Sequence, residues 1–359
     1  MQLANYIPYI EGMTKDMTSD PYAGVIWHDL RSLGLAGIAW ADEPRESPYD
    51  RLPLATKEHI SPGLWGLSTC SAGIYVDFRC AAKEIFVRWT LNVYTEPDDY
   101  MPNVARSGID CYGRDNAGPW RWVGSRSAAA DPHGEGSLNK NPLDGNQRTY
   151  RLYLPLRRRV LNCEVGVREP IAAVARADKA PIVYYGTSIV HGACVGRAGM
   201  AHAAQLGRIL DREVINLGFC GSALCEPVIA DLLGEQDASI YIIDVLPNNG
   251  SPELIERLPG FVQRLQQARP VTPILLLGDR VFGDASFMPN RQSFFKSQND
   301  TLQQIYNELC SGGMNNLHLA IHPNWYGEDQ EGSADGSHPN DLGAIRMATA
   351  LAAVVKEIL

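Results

Sequence analysis

A serine at the junction of a predicted strand and a predicted helix is the first candidate for chemistry in this sequence. An apolar run at residues 182–185 ends at Gly186, and Ser188 follows where a helical pattern begins. A hydroxyl at this position lies at the carboxyl end of a strand, where open α/β folds bind their ligands. The unpaired N–H groups of a helix start also favour nearby negative charge. Ser188 therefore suits a nucleophile, although a serine at a helix start is also a common N-cap.

The groups that a serine nucleophile needs occur in three motifs further along the chain, at residues 216–223, 244–250 and 335–339. His338 can act as the general base, and Asp335, three residues before it, can fold back and fix the tautomer of its ring. The backbone N–H groups of Ser188 and Gly221 and the side-chain amide of Asn248 are candidate donors to an oxyanion. Each group alone is equally typical of a turn or loop. Together they favour catalysis by a serine.

The second half of the chain alternates predicted strands with predicted helices. The predicted strands cover residues 182–185, 213–217, 239–245, 273–277 and 316–321. The predicted helices cover residues 200–210, 252–268, 301–310 and 341–358. This alternation is typical of a parallel sheet with helices on both faces. We therefore predict a flavodoxin-like α/β domain with a five-stranded parallel sheet, whose carboxyl edge gathers the motifs.

The first half of the chain shows the shorter period of β-strands. Predicted strands cover residues 73–80, 84–93, 107–112, 120–124, 148–156 and 160–167, and the first two are predicted to pair with each other. Loops rich in Gly, Pro, Asn and Asp separate them, the longest at residues 131–145. This spacing is typical of a β-sandwich or jelly roll. We place the all-β domain at residues 1–175 and the α/β domain at residues 176–359.

Composition excludes several classes of function. The 359-residue chain has a formal net charge of −9, which argues against nucleic acid or an anionic membrane as the main partner. No run approaches the ~20 apolar residues of a membrane span. No signal peptide is evident, so we expect a cytoplasmic protein. A secretion signal that had already been removed would leave the same sequence. The eight cysteines form no Cys-x-x-Cys pair. No metal-ligand spacing or phosphate-binding glycine loop occurs, so neither metal nor cofactor is predicted.

The four motifs together resemble the blocks of the SGNH (GDSL-type) hydrolases. They read Gly-Thr-Ser-Ile, Asn-Leu-Gly-Phe-Cys-Gly, Leu-Pro-Asn-Asn and Asp-Gly-Ser-His-Pro. The resemblance implies Ser188 as nucleophile, His338 as base and Asp335 as its partner, with Gly221 and Asn248 as oxyanion donors. Thr187 stands where the first block usually has Asp. The third block departs from the common Gly-x-Asn-Asp, which leaves Asn249 as an alternative to Asn248.

The first half also resembles a β domain found ahead of certain SGNH hydrolases. Gly-Ile-Asp-Cys-Tyr at residues 108–112 is similar to the Gly-x-Asp-Leu-Tyr signature of that domain, with Cys111 in place of Leu. Residues 40–53 are similar to the same subgroup. Related two-domain esterases often remove acetyl groups from carbohydrates, so the resemblance implies an acetyl ester as the substrate.

These observations predict a serine esterase that hydrolyses short-chain acyl esters, acetyl esters above all, of a carbohydrate or a small hydroxylated metabolite. His191, Trp325 and Tyr326 are candidates for the wall of its substrate pocket. One alternative is an acyltransferase that passes the acyl group to a hydroxyl acceptor with the same triad. The other is a glycan-binding module with an inactive site. A free strand edge in the β domain would allow self-association into a homo-oligomer.

Overall fold

The structure is a computed structural model that describes residues 20–92, 99–128, 132–176, 178–281, 284–322 and 324–359. Residues 1–19, on which the prediction about a signal peptide depends, lie outside it. The strands are β1 (Ile26–Asp29), β2 (Leu35–Ala36), β3 (Tyr75–Cys80), β4 (Phe86–Leu91), β5 (Ile109–Arg114), β6 (Arg121–Arg126), β7 (His133–Ser137), β8 (Arg148–Tyr153), β9 (Val160–Val167), β10 (Ile171–Ala173), β11 (Ile182–Gly186), β12 (Val214–Gly218), β13 (Ile240–Asp244), β14 (Ile274–Leu277) and β15 (Leu317–Ala320). The α-helices are α1 (Pro62–Ser68), α2 (Asn103–Ser107), α3 (Ser188–His191), α4 (His202–Leu210), α5 (Pro227–Glu235), α6 (Ser251–Ala268), α7 (Pro289–Ser311) and α8 (Asp341–Ile358). Short 3-10 helices cover Leu30–Leu33, Leu54–His59, Ala198–Met200, Leu246–Asn248 and Ala285–Phe287.

Two antiparallel sheets form the first half of the chain. One has the strand order β1-β9-β4-β7, and the other has the order β10-β3-β8-β5-β6 with β2 added beside β3. Along most of β3 and β4, inward-pointing buried residues alternate with more exposed ones, as a half-buried strand requires. Val76 and Phe78 of one sheet share a buried core with Val87 and Trp89 of the other. This β-sandwich is the fold predicted for the first half.

The pairing predicted between the first two strands of that half is wrong. β3 pairs with β2, β8 and β10, whereas β4 pairs with β7 and β9 in the opposite sheet. The segment predicted as a loop at residues 131–145 contains β7, and residue 131 lies outside the described part of the chain. Alternation along a strand shows that it has a buried face, but it does not show which strand lies beside it.

A parallel sheet with the strand order β12-β11-β13-β14-β15 forms the second half. Its strands are almost wholly apolar because helices cover both faces. Val183 and Tyr185 of β11 lie in a core with α5 and α6, whereas Ile182 and Tyr184 lie in a second core with α4 and α8. This confirms the predicted flavodoxin-like sheet. Helix α5 was not predicted from the sequence, and of α7 only the last part was predicted.

The two segments that resemble the β-domain signatures join the two halves. Arg51 is fully buried and donates from Nη1 to the backbone carbonyls of Asn216 (3.2 Å) and Gly218 (2.7 Å) on β12. Asp110, also fully buried, accepts from the backbone N–H of Gly199 (2.8 Å) and from the guanidinium of Arg197 (3.0 Å). The β domain therefore holds one strand, β12, and the segment at residues 197–199 of the α/β domain in place.

The segment between Ala173 and Ile182 links the sandwich to the parallel sheet. We propose the domain boundary there, at residues 175 and 176. Among the helices of the described residues, none combines the length and the apolar character needed to cross a membrane.

Candidate active site

Ser188, His338 and Asp335 form one continuous chain of hydrogen bonds. The Oγ of Ser188 lies 2.7 Å from the Nε2 of His338, across 150 positions of sequence. The Nδ1 of His338 lies 2.6 Å from the Oδ2 of Asp335. With the ring proton on Nδ1 donated to the carboxylate, Nε2 is free to accept the hydroxyl proton. The arrangement has the connections that activate a serine as a nucleophile.

The turn between β11 and α3 presents the hydroxyl of Ser188 to the histidine. Thr187, not Ser188, is the N-cap of α3, and its Oγ1 accepts from the N–H of Ile189 (3.4 Å). The N–H of Thr187 donates to the carbonyl of Asp244 on β13 (3.2 Å). A Cβ at Gly186 would collide with that same carbonyl, so glycine is required there. Ser188 is therefore not the N-cap of this helix, contrary to the simpler interpretation of its position.

The loop before α8 holds the base and its partner. The Oδ1 of Asp335 accepts from the N–H groups of Ser337 and His338, each at 2.8 Å, and Gly336 supplies the positive φ that this tight turn needs. Partial burial of the carboxyl opposes ionisation, but these N–H groups and the imidazole outweigh it and hold the pKa of Asp335 below its ordinary value. Asp335 is thus ionised at neutral pH, as the partner of a general base should be.

The three candidate oxyanion donors belong to residues that line one cavity. The first N–H groups of α3, starting at Ser188, have no acceptor within the helix. Gly221 adopts a positive φ of 68° in the loop after β12, and its Cα faces open space. The Oδ1 of Asn248 accepts from the N–H of Ala223 (3.3 Å), which leaves the NH₂ of Asn248 for an acceptor in the cavity that Ser188, Gly221 and Asn248 all line.

The geometry distinguishes Asn248 from the alternative donor, Asn249. Asn249 is buried, and its Nδ2 already donates to the carbonyls of Ala223 and Val245, each at 2.8 Å. Its amide hydrogens are therefore committed to the backbone. Of the two side chains, only that of Asn248 lines the cavity with unused donors.

Two family models match the chain. Residues 179–356 match the GDSL-like lipase/acylhydrolase family, and residues 25–172 match the N-terminus of SGNH-hydrolase-type esterases. The carboxyl-terminal half of the chain belongs to the GDSL-like lipases and acylhydrolases. The family assignment makes the protein a carboxylic ester hydrolase of the SGNH type. None of the curated proteins compared with the chain matches it.

Solved structures share both halves of this SGNH hydrolase. A protein described as a GDSL-like lipase from Bacteroides ovatus is 29% identical, with a TM-score of 0.86 over 93% of this chain and 98% of its own. A salicylyl-acyltransferase from a tetracycline biosynthetic pathway is 18% identical, with a TM-score of 0.71 over 95% and 97%. A family two carbohydrate esterase from Cellvibrio japonicus is 13% identical, with a TM-score of 0.55 over 80% and 89%. At 18% and 13% identity, the last two likenesses establish a shared fold.

The cavity of the SGNH hydrolase opens above Ser188 and has a volume of about 450 Å³. Its lining residues come from both domains: Tyr100, Met101, Arg157, Ser188, Ala193, Cys194, Cys220, Gly221, Pro247, Asn248, Asp335, Ser337 and His338. The β domain supplies the first three of them. One role of that domain is therefore to complete the wall of the cavity.

The three residues predicted to line the pocket do not reach it. His191 is fully buried between Leu156 O (2.7 Å from Nε2) and Cys220 Sγ (3.4 Å from Nδ1), and burial holds its pKa well below the ordinary value. Trp325 is buried in the core beneath α8. Tyr326 is buried too, and its hydroxyl donates to the carbonyl of Ser337 (3.2 Å), so it supports the catalytic loop from behind.

Arg157 and Cys194 line the cavity but were not among the residues predicted for its wall. Arg157 belongs to no motif, and nothing in its surroundings in the sequence indicates that it reaches Ser188. Cys194 has a positive φ of 68°, and its Sγ lies 3.8 Å from the Oδ2 of Asp335. Within the described residues, Cys194, Asp335 and His338 are the group that could hold a metal ion. A metal there would compete with the hydrogen bond between Asp335 and His338, so the group is not a site separate from the triad.

We expect Asn248→Ala and Asn249→Ala to fail in different ways. Asn248→Ala should lower kcat for an acetyl ester by roughly 10²- to 10³-fold with an unchanged melting temperature, because it removes an oxyanion donor. Asn249→Ala should destabilise the fold by about 1–3 kcal/mol, because two buried carbonyls lose their donors. Steady-state kinetics and thermal unfolding of both variants measure the difference. The opposite pattern would make Asn249 the oxyanion donor.

Proposed function

We propose that the protein is a serine esterase that hydrolyses short-chain acyl esters, acetyl esters first, of a carbohydrate or a small hydroxylated metabolite. The observation that carries the proposal is the unbroken path from Asp335 through His338 to Ser188, beside the amide donors of Gly221 and Asn248. Acyl transfer from an ester needs these parts: the triad lies within hydrogen-bonding distance, and all five residues line one cavity.

The reaction has two stages. Ser188 Oγ attacks the ester carbonyl as His338 Nε2 takes its proton, and Asp335 stabilises the imidazolium that forms. The carbonyl oxygen, now negative, accepts from the N–H groups of Ser188 and Gly221 and from the amide of Asn248. His338 then protonates the departing alcohol and leaves an acyl-serine. Water, activated by the same histidine, releases the acid and restores the serine.

The lining of the cavity supports the proposed preference for short acyl groups. The larger apolar side chains in the lining are those of Met101 and Pro247, together with the ring of Tyr100. A longer acyl chain gains about 0.8 kcal/mol for each methylene group that it buries. The lining offers little apolar surface for that burial. The carbohydrate as the alcohol half is proposed from the carbohydrate esterases among the structural neighbours, which share the fold.

A series of 4-nitrophenyl esters from acetyl to octanoyl, followed by a panel of acetylated sugars and metabolites, tests the proposal. We expect kcat/KM to fall steeply beyond acetyl, and at least one acetylated sugar to be cleaved faster than simple alkyl acetates. A rate that stays level or rises towards octanoyl would contradict the short-chain preference. Release of acetate from none of the sugars or metabolites would contradict the proposed alcohol half.

A second candidate function is acyl transfer to a hydroxyl acceptor. It is favoured by the salicylyl-acyltransferase that shares the fold over 95% of the chain. Adding a sugar or alcohol in large excess and separating the products by mass spectrometry distinguishes the two functions. An esterase gives free acetate at an unchanged rate, whereas a transferase diverts most of the acyl group to the acceptor.

A further inference from the structure

One wall of the cavity carries an arginine that no carboxylate of the described residues neutralises. Arg157 follows β8 in the β domain and lines the same cavity as Ser188 and His338. Its backbone N–H donates to the carbonyl of Arg106 (3.1 Å), which fixes the segment. Its guanidinium donates to the Sγ of Cys220, and no Asp or Glu in the described part of the chain forms an ion pair with it. The positive charge of Arg157 therefore borders the cavity without a balancing carboxylate from the residues that the structure describes.

The thiol of Cys220 does not supply the missing negative charge. Burial raises the pKa of the Cys220 thiol, and the nearby charge of Arg157 only partly offsets this. A thiol with a raised pKa is neutral at pH 7. It serves Arg157 as a weak hydrogen-bond acceptor and nothing more.

A second guanidinium, that of Arg51, lies near the first and has no carboxylate partner in the described part of the chain. Arg51 is fully buried and donates to backbone carbonyls of both domains, including Cys70 O (2.9 Å) and Gly218 O (2.7 Å). Burial lowers its pKa to about 10, so it is still charged at neutral pH. The charges of Arg51 and Arg157 both act on His191, whose pKa burial already lowers. Two positive charges thus occupy one region, and a buried charge is costly unless an opposite charge offsets it.

Two other buried arginines of this protein, Arg151 and Arg280, are each paired with an aspartate. Arg151 forms a two-pronged ion pair with Asp77, at 2.7 Å for each prong, and Arg280 forms another with Asp244. The acidic residue that lines the cavity, Asp335, is already bonded to His338. The negative charge that would balance Arg157 is therefore best supplied by the ligand. A guanidinium matches a carboxylate in shape as well as in charge.

We propose that Arg157 binds a carboxylate on the substrate, so that the preferred ester is acidic rather than neutral. This rests on the proposed esterase function and adds the charge of the substrate to it. Arg157 contacts Cys220, the neighbour of the oxyanion donor Gly221, so the carboxylate lies on the oxyanion side of the cavity. The carboxylate belongs to the acyl half or to the alcohol half of the ester.

Two matched pairs of substrates separate these halves. For the alcohol half the pair is 3-acetoxybenzoate and 3-acetoxybenzamide, which differ in charge but carry the same acetyl group. For the acyl half the pair is 4-nitrophenyl hemiglutarate and 4-nitrophenyl pentanoate, which have equal chain length. The measured quantity is the ratio of kcat/KM for the acidic ester to kcat/KM for the neutral one.

We expect Arg157→Gln to lower this ratio by about 10- to 100-fold in one of the two pairs, mainly through KM, because a charged hydrogen bond is lost. Arg157→Lys keeps the charge and should therefore lower the ratio less than Arg157→Gln does. Arg264→Gln is the control, because it removes the same charge from an exposed ion pair with Asp231 and should leave both ratios unchanged. The pair whose ratio falls identifies the half that carries the carboxylate.

Three results would overturn the proposal. If Arg157→Gln lowered kcat/KM equally for acidic and neutral esters, Arg157 would support the oxyanion or the fold instead. Unchanged ratios, with normal cleavage of neutral acetates, would reject carboxylate binding while the esterase function stands. Failure of the wild-type protein to cleave any ester would reject both.

A measurement on the wild-type protein covers the case in which Arg157 variants do not fold. We expect 3-hydroxybenzoate to inhibit hydrolysis of 4-nitrophenyl acetate at a concentration at least tenfold below that needed for 3-hydroxybenzamide. The difference between the inhibitory concentrations of the two compounds should become smaller as ionic strength rises, because salt screens the charge of the arginine. Equal inhibition by the two compounds would contradict a carboxylate site in the cavity.

Discussion

Replacement of Ser188 by alanine is expected to lower kcat for 4-nitrophenyl acetate by roughly 10⁴-fold or more. The variant keeps the oxyanion donors and the base, but it has no atom to receive the acyl group. The fold should be unchanged, because Thr187 rather than Ser188 caps α3 and the hydroxyl bonds only to the ring of His338 among the described residues. Steady-state kinetics and the melting temperature test both parts of this expectation.

Ser222→Ala is the matched control. It makes the same chemical change in the loop beside Gly221, outside the lining of the cavity, and should keep kcat within about threefold. A fluorophosphonate probe should label the wild-type protein and Ser222→Ala, but not Ser188→Ala. If Ser188→Ala stays fully active, the nucleophile is another residue. A wild-type protein that is neither active nor labelled would favour the alternative of a glycan-binding module with an inactive site.

The residues proposed as the triad could be singled out from the sequence because each needs a specific local geometry that leaves a trace in the sequence. Ser188 follows an apolar strand and a glycine, and Gly186 is fixed by the approach of the Asp244 carbonyl. Asp335 and His338 are three residues apart because one turn must bring a carboxylate onto a ring nitrogen. These constraints are local, so the motifs could be recognised without knowing how the chain packs.

The pairing of the sandwich strands could not be predicted in the same way. β7 contains Gly134 and Gly136, which are poor strand formers, and its sequence alone is typical of a loop. Gly134 is required there because a side chain would collide with the ring of Trp89 on β4. The reason for the glycine thus lies on a partner strand more than 40 positions away, where no sequence pattern indicates it.

The walls of the cavity were predicted poorly for a related reason. His191 follows Ser188 by only three positions, but it turns into the interface with the β domain and bonds to Leu156. Arg157 is 31 positions before Ser188 and in the other domain, but it reaches the cavity. Distance along the chain therefore says little about which side chains meet a substrate at a boundary between two domains.

We expect the largest effect on stability from a residue next to the site that takes no part in the chemistry. Asp244, at the end of β13, forms a two-pronged ion pair with Arg280, and both side chains are fully buried. The hydroxyl of Tyr184 lies 3.5 Å from the same carboxylate and 3.0 Å from the ring of His202. The backbone carbonyl of Asp244 also receives the N–H of Thr187, so this residue holds the strand that carries the nucleophile.

Asp244→Ala should lower the free energy of unfolding by about 3–5 kcal/mol, because it leaves the guanidinium of Arg280 buried without a partner. The double variant Asp244→Leu with Arg280→Met should be less destabilised than Asp244→Ala, since replacing both charges leaves no isolated ion. Urea unfolding of the single and double variants measures the two values. The matched control is Asp231→Ala, which breaks the exposed pair with Arg264 and should cost less than about 1 kcal/mol.

The comparison of the two aspartates separates the effect of burial from that of ion pairing itself. Both pair with an arginine, but only Asp244 forms its pair where water cannot replace the lost partner. If Asp244→Ala costs no more than Asp231→Ala, water reaches Arg280 and the pair is not held in a dry core. If the cost is large and kcat also falls, the loss of Asp244 has moved the carbonyl that supports Thr187, and with it the hydroxyl of Ser188.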